Sequence, residues 1–323
     1  MSTILILSAG RRVSLVRGFM DAAHKSSASM RTITADMNPE LSAACQISAQ
    51  SFRLPHVLDE QFPSELMTLC ANQNVKLVVP TIDTELPVLA SLRERFAEQG
   101  VTLLVCDKHL IELCADKRKT AEFFNDNGLS TPGLYTPDKI RYPAIAKPYD
   151  GSLSVGVHLL NSAGDLTQEI LSNTKNIYCE YIHPDNHDEV TVDMYYDKQH
   201  RLRCVVPRRR LEVRGGEVSK ALAEKNEIVT ALFDALSYID GARGCLTLQL
   251  FRNTDTQDHI HFEINARFGG GYPLSRLAGA DFQQWIIDEY LLGKEVPVFN
   301  DWADNTLMLR YDAEVLSFDY EKA

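Results

Sequence analysis

The sequence contains little that is typical of secreted, membrane-bound or nucleic-acid-binding proteins. Its 323 residues include only seven cysteines, an odd number scattered along the chain without a Cys-x-x-Cys pair. This pattern favours reduced thiols in a cytoplasmic protein over a disulfide framework. Lys and Arg number 33 against 44 Asp and Glu, and the net charge of −11 argues against nucleic-acid or anionic-membrane partners. No apolar run approaches the length of a membrane span, and Met1–Leu7 lacks the basic start of a signal peptide.

Several catalytic and cofactor motifs are also missing. The first apolar run is followed by Ser8–Arg12, which lacks Gly-x-Gly-x-x-Gly, so NAD binding is not expected. No Gly-x-Ser-x-Gly elbow is present to support a serine nucleophile. The pairs His183/His187 and His259/His261 have spacings that zinc ligands can adopt, but neither is accompanied by a third ligand cluster. A structural zinc site is therefore not expected.

Residues 1–108 alternate short apolar runs with helical patterns, which predicts a parallel sheet with helical crossovers. The predicted strands are Ile4–Leu7, Thr32–Ala35, Leu77–Val79 and Leu103–Val105, and the predicted helices are Leu15–Ala23, Phe62–Asn72 and Glu85–Gln99. Ligands bind at the carboxyl ends of parallel strands. We therefore expect Arg11, Arg12, Asp36 and the polar residues 80–85 to lie near a substrate, although surface arginines would give the same pattern.

Residues 142–157 have the pattern of strand, flexible turn and strand. Lys147 closes the first strand, and the turn that follows runs from Gly151 to Gly156. Loop amides and an ammonium group can converge on one anion there, which favours phosphate binding. A surface hairpin with an incidental lysine has the same pattern.

The most informative stretch of the sequence is 259–267. Strict alternation predicts a strand with one apolar face turned to the core, formed by Ile260, Phe262, Ile264 and Ala266. The opposite face carries Glu263, Asn265 and Arg267. A preceding run contains Gln249, and a hairpin would gather three oxygen-bearing side chains, a set that suits Mg²⁺. An ordinary solvated strand face is the alternative.

Taken together, these segments resemble the ATP-grasp superfamily, in particular the nucleotide-binding modules of the carbamoyl-phosphate synthase large subunit. The matching residues run in the family's order: Asp116-Lys117, Lys147 with the Gly151–Gly156 loop, Glu180–Ile182, Glu189, Gln249 and Glu263–Arg267. The likeness covers nearly the whole chain, because residues 77–85 resemble the family's preceding domain. It implies an α/β fold, α+β in the C-terminal part. A Rossmann-like domain (1–108) would precede a two-lobed ATP-grasp domain (109–323) with a lid at about 120–185.

By this resemblance, one set of residues would bind ATP. Lys117 and Lys147 would contact the α- and β-phosphates, and Glu180 with the two residues after it would form the hinge that faces adenine. Glu189 would hold the ribose hydroxyls, although Asp188 could take that role. The full set implied is Lys117, Lys147, Ser154, Glu180, Tyr181, Ile182 and Glu189.

The resemblance also implies that Gln249, Glu263 and Asn265 hold one or two Mg²⁺ (or Mn²⁺) ions. Arg267 would neutralise charge on the transferred phosphoryl group or on an acyl phosphate. Many relatives have an acid at the position of Gln249. A neutral ligand leaves the site one charge less negative, so we expect the metal to bind chiefly together with ATP.

The only dense basic run, 206–217, lacks the aromatic residues of a nucleic-acid patch. Its place between the ribose acid and the metal strand predicts a loop that reaches the γ-phosphate or the substrate carboxylate, with Arg210 as a catalytic residue or simply part of a surface face. Acceptor specificity is expected from Arg11, Arg12, Asp83, Glu85 and residues 267–276.

The function implied is that of an ATP-dependent ligase. It would activate a small-molecule carboxylate as an acyl phosphate for attack by an amine or similar nucleophile. The whole carbamoyl-phosphate synthase activity is not expected, because that enzyme resembles two such halves plus further domains. The alternative is an ATP-binding regulatory or sensing protein without turnover, which would not need Glu263, Asn265 and Arg267 together. A homodimer is expected by analogy alone.

Overall fold

The N-terminal part of the computed structural model, which describes residues 2–27, 29–151 and 155–318, is a parallel sheet flanked by helices. The strands are β1 (Thr3–Ile6), β2 (Arg31–Asp36), β3 (Ser51–Arg53), β4 (Val75–Val79) and β5 (Thr102–Leu103). The helices are α1 (Val13–Ser26), α2 (Ala43–Ile47), α3 (Phe62–Asn72) and α4 (Leu86–Ala97). The strand order is β3-β2-β1-β4-β5 and every pairing is parallel, so the predicted Rossmann-like sheet is confirmed.

The central strand shows why this sequence forms a parallel sheet. Ile4, Leu5 and Ile6 are fully buried, as expected where helices cover both faces of the sheet. The sequence did not predict α2 or β3, which are only five and three residues long and too short to show a periodic pattern. The prediction of a strand at Leu103–Val105 was wrong at its end, because Val105 N donates to Leu103 O in a turn.

The middle of the chain forms a small antiparallel sheet preceded by two helices. The helices before the sheet are α5 (Lys108–Cys114) and α6 (Lys117–Asp126). The strands are β6 (Leu134–Tyr135), β7 (Ala144–Pro148), β8 (His158–Leu160) and β9 (Asn176–Glu180), with α7 (Gln168–Ser172) before β9. The strand order is β6-β9-β7-β8. This four-stranded sheet has its own small core, formed by Ala144, Ala146, Leu160, Ile170 and Tyr178.

The C-terminal part forms a six-stranded antiparallel sheet in the order β14-β13-β10-β11-β12-β15. Its strands are β10 (His187–Tyr196), β11 (Leu202–Arg214), β12 (Glu217–Ala223), β13 (Gly244–Asn253), β14 (His259–Asn265) and β15 (Thr306–Leu309). Its helices are α8 (Glu227–Ala235), α9 (Pro273–Leu277) and α10 (Phe282–Tyr290). Two antiparallel sheets after a parallel one confirm the predicted change from α/β to α+β.

One continuous apolar core joins the parallel sheet to the six-stranded sheet. Helix α1 contacts α10 at Gly18, where an added Cβ would lie 2.3 Å from Gln283 Nε2, and that amide donates to Leu15 O at 2.7 Å. The four-stranded sheet lies outside this core and has a small core of its own, and we call it the four-stranded lobe. The predicted boundaries at residue 108 and at about 120–185 stay predictions. In the described ranges, no helix is long and apolar enough to cross a membrane.

Strand β14 does not alternate as the sequence predicted. Gln249 pairs with Glu263 and Leu250 with His261, so Phe262 is an extra residue, a β-bulge. The bulge reverses the faces before it: His261 is 1 % exposed, whereas Ile260 and Phe262 are only half-buried. The prediction of a core face was therefore wrong for Ile260 and Phe262. It was right for Ile264 and Ala266, which are buried.

Candidate active site

Three oxygen-bearing side chains meet at one end of the hairpin formed by β13 and β14. Gln249 lies directly opposite Glu263, so their side chains project from the same face of the sheet. Asn265 is two residues further along, and its Oδ1 accepts from Arg267 Nη2 at 3.3 Å. All three residues are half-buried. One carboxylate and two amide oxygens are hard ligands with little charge, which fits Mg²⁺ that takes its remaining ligands from phosphates and water.

Two lysines point at this hairpin from the other side of the cleft. Asp116 accepts from Arg118 N and starts α6, which makes Lys117 its first residue. Lys117 Nζ lies 3.9 Å from Glu263 Oε1 and donates to Gly151 O at 2.5 Å. Burial lowers the pKa of Lys117; Glu263 opposes this shift and the nearby Lys147 adds to it. The structure therefore brings these two predicted phosphate lysines together beside Glu263.

An aromatic pair, missed by the sequence analysis, lies in the same cleft. The Phe251 and Phe262 rings stack with centroids 4.7 Å apart at an interplanar angle of 26°. Lys147 Nζ lies 5.8 Å from the centroid of the Phe262 ring. The two rings offer a flat apolar surface next to a cation. Alternation had assigned Phe262 to the core, and the sequence gives no sign of the bulge that turns it into the cleft.

The predicted hinge connects the two antiparallel sheets. Glu180 ends β9, and its carboxylate accepts from Gly133 N at 3.2 Å. The Tyr181 ring packs edge-on against His183 with centroids 5.7 Å apart. Ile182 follows in irregular backbone before β10. The Glu180 carboxylate thus already has a partner, and the adenine roles of these residues stay predictions. The predicted Ser154 lies outside the described residues.

The register separates the two candidates for the ribose site. Glu189 pairs with Phe251 and therefore lies on the same face as Gln249, which is two residues from Phe251. Asp188 pairs with Arg252 and lies on the opposite face, with its carboxylate 3.5 Å from Arg252 Nη2. The cleft face is therefore accessible to Glu189 and not to Asp188.

Arg210, the predicted catalytic arginine, forms an ion pair with Glu189 across β10 and β11. Its Nε is buried and has no hydrogen-bond partner among the described residues. The structure thus places Arg210 beside the ribose candidate, on β11, which is separated from β13 by β10. Its catalytic role stays a prediction.

Arg267 joins the hairpin to the N-terminal domain. Its Nη2 donates to Asp83 at 2.5 Å, and Asp83 lies just after the carboxyl end of β4. Close by are Arg12 and Arg310. Burial lowers the pKa of Arg12, and the charges of Arg267 and Arg310 lower it further. Arg310 was not predicted as a site residue. It is 43 residues from Arg267 in the chain, and only the fold brings the two together.

A cleft of about 310 Å³ lies at the carboxyl ends of β1, β2 and β3. Two acids named in the sequence analysis line it, and both hold loops in place. Asp36 accepts from Gly10 N at 2.9 Å. Burial raises the pKa of Glu85 to about 7, although Ser8 Oγ donates to it at 2.5 Å. Glu85 is 1 % exposed and points inward, so the expectation that it contacts the acceptor substrate has no support from its position.

Comparison with known families gives two matches along the chain. Residues 4–104 match the family described as "PylC-like, N-terminal domain". Residues 180–310 match "ATP-grasp in the biosynthetic pathway with Ter operon". A curated carbamoyl-phosphate synthase from Methanobrevibacter smithii is 28 % identical over 142 residues, which cover 41 % of this chain and 37 % of that protein. The chain thus spans little more than a third of that relative's length.

Similar solved structures include a biotin carboxylase from Campylobacter jejuni in complex with a β-γ-ATP ligand, with a TM-score of 0.72 and 14 % identity over 94 % of this chain and 74 % of that one. An L-amino acid ligase from Bacillus licheniformis has a TM-score of 0.69 and is 18 % identical, with 90 % of this chain and 74 % of that one covered. N5-carboxyaminoimidazole synthetase from Staphylococcus aureus, in complex with ADP, has a TM-score of 0.69 and is 16 % identical, with 95 % of this chain and 79 % of that one covered. At such identities the likeness shows a shared fold.

Proposed function

We propose that this protein, whose predicted relation to the ATP-grasp superfamily the matches confirm, is an ATP-dependent ligase. It would activate a small-molecule carboxylate as an acyl phosphate, which an amine or similar nucleophile then opens. One observation carries the proposal. Glu263 lies opposite Gln249 and 3.9 Å from Lys117, so metal-binding oxygens and a phosphate-binding cation meet at one point between two sheets.

The cleft offers a place for each part of ATP. The phosphates would lie between Lys117 and Lys147, which face the hairpin from the four-stranded lobe and its preceding helix. The base would lie against the stacked Phe251 and Phe262 rings, because a flat apolar surface suits a purine. Glu189, on the same sheet face, would accept hydrogen bonds from the ribose hydroxyls.

Gln249, Glu263 and Asn265 would hold Mg²⁺. When bound, the metal would neutralise charge on the β- and γ-phosphates. Only Glu263 of the three is charged, so the protein by itself offers too little negative charge for tight binding of the free ion. Calorimetry should therefore detect Mg²⁺ binding chiefly when nucleotide is present. Tight binding of Mg²⁺ alone would contradict this ligand set.

The proposed reaction has two steps. A carboxylate oxygen of the substrate attacks the γ-phosphorus of ATP, and the bond from that phosphorus to the bridging oxygen of ADP breaks. The amine nitrogen then attacks the acyl carbon, the bond from that carbon to the phosphate oxygen breaks, and the amine loses a proton. Lys117 and Arg267 would compensate charge on the transferred group, which is the main requirement of phosphoryl transfer.

The test is Mg²⁺-dependent release of ADP from ATP, screened against pooled carboxylates and bicarbonate, with and without pooled amines. Bicarbonate is included because biotin carboxylases share the fold. Release that depends on one acid pool is expected. Glu263→Gln should lower kcat by roughly 100-fold because a charged metal ligand is lost. Glu98→Gln, at an exposed position, should leave kcat unchanged.

Two results would overturn the proposal. Full turnover in Glu263→Gln would remove Glu263 from the metal site. ATP binding by the wild-type protein without ADP release in any pool would favour the ATP-sensing alternative.

A further inference from the structure

Three arginines meet two acids where the N-terminal sheet faces the six-stranded sheet. We call this group the arginine cluster; its members are Arg12, Arg267, Arg310, Asp83 and Glu217. Arg310 Nη1 lies 3.1 Å from Glu217 Oε2, and its Nη2 donates to Gly270 O at 3.0 Å. Arg267 Nη2 donates to Asp83. Two of the three guanidinium groups therefore have a carboxylate partner.

The guanidinium of Arg12 has no carboxylate partner among the described residues. Arg12 directly precedes α1 and is half-buried, and its side chain donates one long hydrogen bond, of 3.4 Å, to Thr81 O. Within the described ranges it forms no ion pair. Burial lowers the pKa of Arg12, and so do the nearby Arg267 and Arg310, whereas the charges of Glu217 and Asp83 raise it. A half-buried cation that faces two other cations is unfavourable unless an anion joins them.

The charges around the cluster leave room for a further anion. Asp83 pairs with Arg267, and Glu217 is shared between Arg310 and the exposed Arg11, at 3.8 Å from Arg11 Nη2, so neither acid is left to neutralise Arg12. Glu217 already places one carboxylate beside Arg310, and a planar guanidinium suits carboxylate oxygens. The Glu217 side chain is 36 % exposed, so solvent reaches the cluster.

The cluster has two sides. Arg267 also contacts the metal-site residue Asn265, at 3.3 Å. Arg12 and Arg310 instead contact backbone oxygens of Thr81 and Gly270. The reacting group of a substrate would therefore lie beside Arg267, and Arg12 with Arg310 would hold a different part of the same molecule.

We propose that Arg12 and Arg310 bind a second carboxylate of the acid substrate, one that is not phosphorylated. The substrate would then be a small dicarboxylate or an acid of that type, such as an amino diacid. The inference rests on the proposed ligase function for the place of the reacting group. The carboxylate site would be formed by two segments that are distant in the chain, the loop after β1 with Arg12 and the segment after β15 with Arg310.

The experiment is calorimetric titration of the full chain with succinate, acetate and inorganic phosphate as probes, at constant ionic strength and with Mg²⁺ and a non-hydrolysable ATP analogue present. Succinate should bind at least tenfold more tightly than acetate or phosphate. Arg12→Gln and Arg310→Gln should each weaken succinate binding at least tenfold. Arg12→Lys, which keeps the charge and loses the planar fork, should weaken it less. Arg17→Gln, at an exposed position of α1, should change nothing.

Affinity for the ATP analogue, measured in the same variants, should match that of the wild type. Unchanged succinate binding in Arg12→Gln would overturn the inference, as would equal binding of acetate, tighter binding of phosphate, or no binding of succinate to the wild type. Each of these results leaves the ligase proposal intact. Failure of the wild type to bind the Mg²⁺ nucleotide would instead refute the ligase proposal, whatever succinate does.

Discussion

Arg208 donates two hydrogen bonds to Asp193, at 2.7 and 2.9 Å, in the interior of the six-stranded sheet. Both side chains are at most 1 % exposed. Arg208 pairs across the strands with Thr191, which pairs in turn with Gln249, so the ion pair lies on the face that carries the candidate metal residues. An added Cβ at Gly271 would lie 2.1 Å from an Arg208 guanidinium nitrogen. The buried pair therefore supports the glycine loop that follows Arg267.

Removal of one partner from this pair should be strongly destabilising. Asp193→Ala leaves a buried guanidinium without a carboxylate, and the free energy of unfolding should fall by about 3–5 kcal/mol. Urea unfolding measures the change. Glu112→Ala, which removes an exposed partner of Lys108, is the control and should leave the unfolding midpoint unchanged. If both variants unfold at the same urea concentration, the buried pair does not stabilise the fold.

Lys147→Ala should weaken binding of the Mg²⁺–ATP analogue about 10- to 100-fold, because a hydrogen bond between two charged groups contributes about 1.5–3 kcal/mol. Calorimetry gives the dissociation constant. Lys139→Ala, at an exposed position in the same lobe, should bind as the wild type does. Equal affinity in the two variants would remove Lys147 from the phosphate site.

The ribose role can be assigned by comparing ATP with its 2′,3′-dideoxy analogue. The wild type should prefer ATP, because Glu189 lies on the cleft face and can accept from the hydroxyls. Glu189→Ala should lose most of this preference. Asp188→Ala should keep it, since Asp188 lies on the other face beside Arg252. The reverse result would assign the ribose to Asp188.

His261 should make the fold sensitive to acid. Burial lowers its pKa from 6.5 to about 4, and its ring packs against Phe124 with centroids 5.4 Å apart. The unfolded chain gains the proton as pH falls below about 6.5, whereas the folded chain gains it only near 4. Stability is therefore fully present at pH 7 and decreases between those values. At about 1.4 kcal/mol per pKa unit, the loss is on the order of 3 kcal/mol.

The measurement is urea unfolding at pH 7 and pH 4.5 for the wild type and for His261→Phe, which keeps a ring next to Phe124 and cannot titrate. The variant should lose less stability between the two pH values than the wild type. His24→Gln, at an exposed position, should retain the full loss. An identical pH dependence in His261→Phe and the wild type would show that other groups cause the acid sensitivity.

The local pattern of apolar and polar residues was sufficient to predict much of the fold. The alternation of apolar runs and helices in residues 1–108 predicted the parallel sheet, and the run around Gln249 with the strand pattern at 259–267 predicted the hairpin. These features depend on neighbours a few residues apart in the chain. The order of the motifs predicted the family, which the matches to residues 4–104 and 180–310 confirm.

The sequence by itself thus determined the fold class, the family and a list of candidate site residues. Only the tertiary structure decided which of them share a face or a cluster. Because of the bulge at Phe262, His261 is buried, whereas its neighbours Ile260 and Phe262 are only half-buried. The opposite faces of Asp188 and Glu189 relative to Gln249 follow from the pairing of β10 with β13. The arginine cluster joins a loop near residue 12 to one near residue 310. The pairing register and the strand order bring distant segments together. Neither of these can be read from the periodicity of residues along one strand.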